Sequence, residues 1–166
     1  MSYPKQHSVL FICTGNSARS IMGEMAANLL TNEYFIGFSA GSNPTGIINP
    51  AALEIAKELG YPINKLKSKS INIFRESNYN KFDYAITVCD NAKDACPVYT
   101  NCLNNLHWSY SDPADIVDFN ERKQKLLEIY QDIGSRLNAI LKKMKPNMIH
   151  NSCLLYTSDA ADDWSS

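Results

Sequence analysis

The stretch "SVLFICTGNSARSIMGEMAANLL", residues 8–30, changes its hydrophobic period halfway along. Residues 8–13 form a short continuous apolar run, the pattern of a strand buried on both faces. From Ser17 to Leu30 the apolar residues Ile21, Met22, Met25, Ala26, Leu29 and Leu30 recur at helical spacing, with Glu24 and Asn28 opposite. The join is a loop of small residues around Gly15. Strand, tight loop and helix in this order predict an α/β unit.

A loop that enters a helix start turns backbone N–H groups inward, and the helix dipole adds partial positive charge there. Such a nest holds a tetrahedral oxyanion, so Thr14, Gly15, Asn16, Ser17, Ala18, Arg19 and Ser20 are the candidate substrate-binding residues. Gly15 is expected to adopt a conformation that bulkier residues resist, and Asn16 tolerates a left-handed turn. Arg19 adds a bidentate grip on the anion. The same field favours a thiolate, which makes Cys13 a candidate nucleophile with Ser20 or Ser17 placed to hydrogen-bond it. The blander reading of Cys13 is a small core residue at a strand end.

Outward from this stretch, strand-like and helical patterns alternate. "YFIGFSAG" (34–41) and "FDYAITVC" (82–89) read as strands, and "LHWSY" (106–110) as a fourth. A helix is expected from Asn49, with Pro50 in its first turn and Gly60 just past its end. A long amphipathic helix is expected from about Phe119 to Met144 through Leu126, Tyr130, Ile133, Leu137, Ile140 and Leu141, capped by Asp118. This alternation predicts a parallel sheet of four strands with helices on both faces, a three-layer arrangement. Ligands of such sheets bind beyond the carboxyl ends of the strands, where Cys13, Cys89 and the residues after Tyr110 all fall.

The chain has 166 residues, 45% apolar and 20% charged, with a net charge of −1, the range of one globular domain. No apolar run approaches the length that spans a bilayer, and the N-terminal stretch is too short and too poorly flanked for a secretory signal. A cytoplasmic location and reduced cysteines are therefore expected. The C-terminal "CLLYTSDAADD" (153–163) resembles the translation of a sequencing adapter, so residues 1–147 are taken as the domain and 148–166 as a disordered tail. Setting the tail aside removes Asp159, Asp162, Asp163 and Cys153 and moves the net charge to about +2, too little to imply nucleic acid.

The string "CTGNSARS", Cys-x5-Arg-Ser between strand and helix, resembles the loop of the low-molecular-weight phosphatase fold shared by small tyrosine phosphatases and arsenate reductases. The resemblance covers roughly residues 8–145. It implies catalytic roles for Cys13 as nucleophile, Arg19 as anion clamp and Asp112, in the Asp112-Pro113 pair, as general acid. Tyrosine phosphatases of this fold usually follow that pair with aromatic residues, whereas Ala114 and Asp115 stand here. "TVCDNAKDACP" places Cys96 seven positions after Cys89, and "SAGSNPTGIINPAALEIAKELG" and "LKSKSINIF" also resemble the reductase branch. That branch implies a relay in which Cys13, Cys89 and Cys96 pass a disulfide outward to an external dithiol.

The implied substrate is arsenate, and the implied donor is thioredoxin, or glutathione with a glutaredoxin. No bound cofactor, no metal and a monomer are expected. The main alternative is a phosphatase; an oxyanion-binding protein without turnover is another. Cys89, Cys96, Cys102 and His107 lack the paired spacing of a zinc site, and Cys102 has no role in the relay. "KLKSKS" (65–70) reads as a solvated loop.

Overall fold

A computed structural model describes residues 6–76, 81–90 and 99–151, with side chains as far as Met144. Four strands, β1 (His7–Cys13), β2 (Phe35–Gly41), β3 (Phe82–Thr87) and β4 (Cys102–His107), form one sheet in the order β2-β1-β3-β4. Every neighbouring pair is parallel. Among the described residues four α-helices accompany them: α1 (Arg19–Leu30), α2 (Pro50–Leu59), α3 (Asn72–Glu76) and α4 (Phe119–Asn151).

Successive side chains of a strand point to opposite faces, and β1 supplies both cores of the molecule. Val9, Phe11 and Cys13 pack with α1, α2 and α4, whereas Leu10 and Ile12 pack with Ala40, Ile71, Phe74, Phe82, Tyr99 and Cys102. The second core is held by edge-to-face rings, with Phe82 lying 5.4 Å from both Phe38 and Phe74 and 5.8 Å from Tyr99. Each fully buried large apolar side chain of this kind contributes about 1.5–3 kcal/mol. This is the expected three-layer α/β architecture, and its alternation decides that Cys13 faces α1.

The caps of α2 fall where the sequence places them. Asn49 Oδ1 accepts the Ala51 N–H at 3.0 Å, and Gly60 closes the helix in the left-handed region at φ 77°. Asp118 caps α4 through the Glu121 N–H at 2.9 Å.

Three boundaries differ. β4 begins at Cys102 and ends at His107 rather than spanning 106–110. As an edge strand it carries exposed Leu103, Asn104 and Asn105, so no apolar run announces it. α4 continues through Pro146 to Asn151, beyond the end of its apolar periodicity. Finally, Glu24 and Asn28 do not form a solvent face: Arg19 through Ala27 are all buried, so α1 is covered on every side and its polar groups pair internally.

Residues 152–166, including Cys153, lie outside the described residues. Among those described, no helix is long and apolar enough to cross a membrane.

Candidate active site

The loop from Cys13 to Arg19 is shaped by what happens to its carbonyls. Those of Cys13, Thr14, Gly15 and Ser17 accept the N–H groups of Ser42, Asn43, Thr45 and Asn49 at 3.2, 2.9, 3.1 and 3.0 Å. A trans peptide points its C=O and the next N–H in opposite directions, so the N–H groups of Thr14, Gly15, Asn16 and Ala18 face away from that outer segment. The Asn16 N–H shows where they face: it donates to Cys13 Sγ over 3.2 Å.

Asn16 organises the rest. Its φ of 47° is the one positive value in the loop, so this residue and not Gly15 takes the left-handed conformation. Gly15 instead provides clearance, since a Cβ there would approach Thr45 Cγ2 to 3.1 Å. The Asn16 amide accepts the Lys69 N–H on Oδ1 at 2.9 Å and donates from Nδ2 to Ser20 Oγ at 2.7 Å. Because Ser20 Oγ already receives that proton, its own hydrogen is available to Cys13 Sγ, 2.9 Å away. Ser20 and not Ser17 is therefore the hydroxyl on the sulfur.

Arg19 opens α1 and is 3% exposed. Its Nη1 donates to the Tyr110 carbonyl at 3.1 Å, and its Nη2 lies 3.6 Å from Asp112 Oδ2. Asp112 heads a 3-10 turn (Pro113–Asp115): Oδ1 accepts the Ala114 N–H at 3.0 Å, which Pro113 at the first position permits. The sheet thus brings Arg19 of the Cys13 loop against Asp112, from segments separated by about ninety residues.

The segment 65–70 is more than a solvated loop. Ser68 Oγ donates to the Gly15 carbonyl at 2.8 Å, and the Lys69 main chain holds Asn16 as described. The Lys69 ammonium turns inward to Ser39 Oγ at 3.3 Å and to Glu24 Oε1 at 3.8 Å. Glu24 also accepts from Ser39 Oγ at 2.6 Å and Tyr61 OH at 2.8 Å. Burial pushes the Lys69 ammonium below its usual range against the pull of Glu24, and burial together with Glu24 pushes the Tyr61 hydroxyl well up. Sequence periodicity cannot show this, because serine and lysine between Leu66 and Ile71 look like any polar connector.

Gly41 decides how close the two halves of the loop come. A Cβ on it would stand 2.5 Å from the Thr14 carbonyl oxygen and 3.0 Å from Asn16 N. Backbone atoms cannot rotate away, so Gly41→Ala is expected to shift the loop, weakening the Asn16 contact to sulfur. A loss of about a hundredfold in kcat/KM follows for any reaction through Cys13, since displacements near 1 Å have that effect. Wild-type kinetics in the folded variant would contradict this.

Cys13, Cys89 and Cys102 are buried cysteines. Cys89 lies in the same core as Cys13, and its Sγ sits 3.8 Å from the carbonyl of Ile12, the residue before Cys13. Cys102 belongs to the opposite core, with Sγ 3.5 Å from the Tyr99 carbonyl and its thiol pushed up by burial. Cys96 lies outside the described residues. Among the described residues no group of three or more His, Cys, Asp or Glu is arranged to hold a metal ion.

The family model described as low molecular weight phosphotyrosine protein phosphatase matches residues 8–149. An arsenate reductase of Oceanobacillus iheyensis is 33% identical over 135 residues, covering 81% of this chain and 94% of the relative. The crystal structure of arsenate reductase from Archaeoglobus fulgidus superposes with a TM-score of 0.62 at 26% identity, covering 76% of this chain and 96% of its own. A thioredoxin-dependent arsenate reductase of Corynebacterium glutamicum gives a TM-score of 0.57 at 28% identity, over 88% of this chain and 65% of that one. With the family match spanning the Cys13–Arg19 loop, the sheet and the Asp112 turn, the chain belongs to the low molecular weight phosphotyrosine protein phosphatase family, on its arsenate reductase branch.

Proposed function

We propose that this chain reduces arsenate to arsenite through Cys13. The observation that carries the reading is the convergence on one sulfur of the Asn16 N–H and Ser20 hydroxyl, with Arg19 of the same loop facing Asp112. Two donors fix the direction of the sulfur, and loop N–H groups with a guanidinium fork match a tetrahedral oxyanion. The Thr14 hydroxyl, buried and without a partner among the described residues, adds a further donor for that anion.

Cys13 Sγ bonds to arsenic as one arsenate oxygen departs as water, taking a proton from Asp112. Cys89 thiolate then attacks Cys13 Sγ. The sulfur–arsenic electron pair stays on arsenic, which leaves as arsenite, and a Cys13–Cys89 disulfide forms. Cys96 thiolate next attacks Cys89, freeing Cys13 and leaving a Cys89–Cys96 disulfide for an external dithiol to reduce. The similarity to a thioredoxin-dependent reductase supports thioredoxin as that dithiol, ahead of glutathione with a glutaredoxin. The protein needs no bound cofactor in this scheme.

The family model's own description supports a second reading, hydrolysis of phosphate esters through the same Cys13 and Asp112. One assay separates the two. The full chain is mixed with thioredoxin, thioredoxin reductase and NADPH, with and without arsenate, beside p-nitrophenyl phosphate. Arsenate-dependent NADPH oxidation that Cys89→Ser abolishes, while ester hydrolysis persists, is the expected result. Ester hydrolysis with no arsenate turnover from any thiol donor would make the protein a phosphatase.

A further inference from the structure

Tyr110 and Asp112 sit on a connector between β4 and α4, and something must hold that connector against the loop. Tyr110 supplies the carbonyl that accepts from Arg19 Nη1 at 3.1 Å. Its ring is held from α4: the hydroxyl donates to Asp132 Oδ2 at 2.5 Å, and the same oxygen accepts the Nε–H of Arg136 at 3.0 Å. The Arg136 guanidinium carbon lies 5.5 Å from the ring centre of Tyr110 and 5.5 Å from that of Trp108. One flat cation therefore contacts both aromatic rings of the connector while its own helix anchors it through Asp132. Burial and the Asp132 bond push the Tyr110 hydroxyl up.

An exposed ion pair one helical turn apart ordinarily contributes little. This one differs because both of its members reach off the helix onto the segment that bears the site. We propose that Asp132 and Arg136 are positioning residues for the oxyanion site, clamping Trp108 and Tyr110 so that the Tyr110 carbonyl aims Arg19 and the following turn presents Asp112. The inference rests on the reading of the Cys13 loop as an oxyanion site. Without the clamp the Arg19 charge remains but the Tyr110 carbonyl no longer steadies its fork, so anion binding weakens and Asp112 drifts from its place. Lysine at 136 would keep the charge and reach Asp132 but has no flat face to lie against two rings.

The test uses inorganic phosphate as the probe. Its affinity is read from protection of the Cys13 peptide against iodoacetamide, in the full chain and below the melting temperature of each variant. Arg136→Ala is expected to weaken phosphate binding by about fivefold to tenfold and to raise KM for arsenate more than it lowers kcat. Arg136→Lys and Tyr110→Phe are expected between it and wild type. Wild-type phosphate affinity and kcat/KM in Arg136→Ala, with only a lowered melting temperature, would overturn the clamp alone. If that variant fails to fold, Tyr110→Phe decides, because it keeps the ring and the carbonyl; wild-type affinity there would also overturn the clamp. Absence of phosphate protection in the wild type, or its persistence in Arg19→Ala, would overturn the oxyanion reading and the clamp with it.

Discussion

Cys13→Ser will bring arsenate-dependent NADPH oxidation down to background, a loss of about four orders of magnitude or more, as for removal of a nucleophile from any concerted catalytic set. Two separate reasons add up. A serine hydroxyl in the same donor ring is far less acidic than a thiol, so the attacking species is scarce. Even a serine–arsenate ester would be a dead end, because its bridging atom is oxygen and Cys89 has no sulfur to attack. Ester hydrolysis must fall with it, since the first step is shared. The fold should survive: Cys13 is buried against Ser20 and the Asn16 N–H, and a hydroxyl accepts from the same donors. Measurement is of both activities in one preparation whose circular dichroism matches wild type. Retained arsenate turnover would remove Cys13 from the chemistry altogether.

Arg19→Lys is expected to lower kcat/KM for arsenate by about a hundredfold to a thousandfold, the loss typical of one transition-state donor. The substitution preserves charge, so a purely Coulombic role predicts little change. Arg19 however serves two groups at once: Nη1 donates to the Tyr110 carbonyl and Nη2 faces Asp112 at 3.6 Å. An ammonium is a single point that cannot hold a carbonyl and still present two parallel N–H groups to an anion. Steady-state kinetics with arsenate, together with phosphate as a competitive inhibitor, read the effect. Activity within about threefold of wild type would mean that charge alone is used here.

Much of the candidate site was legible because its residues are local in the chain. Cys13 and Arg19 stand six positions apart in one strand–loop–helix, and both the period change and the run of small residues mark that loop. The cap residues Asn49, Gly60 and Asp118 were legible for the same reason, as each acts on backbone within a turn of itself. Asp112 was a weaker signal, a common turn dipeptide whose value came from standing after the last strand. What stayed hidden was non-local and polar. Nothing in "KLKSKS" announces that Lys69 N–H will hold Asn16, or that Glu24 will be buried among Ser39, Tyr61 and Lys69. β4 was misplaced because an edge strand needs no apolar run, and Gly41 gave no sign that it clears the Thr14 carbonyl.

The sequence by itself determined the α/β class and the strand–loop–helix that carries Cys13 and Arg19, since periodicity and backbone preference are properties of short windows. Only the tertiary structure decided which hydroxyl serves the sulfur, which residue takes the positive φ, and how α4 reaches back through Arg136 to the Tyr110 connector. Those choices depend on hydrogen bonds and close approaches between residues up to about ninety positions apart, and a chain fixes such distances only by packing its layers together.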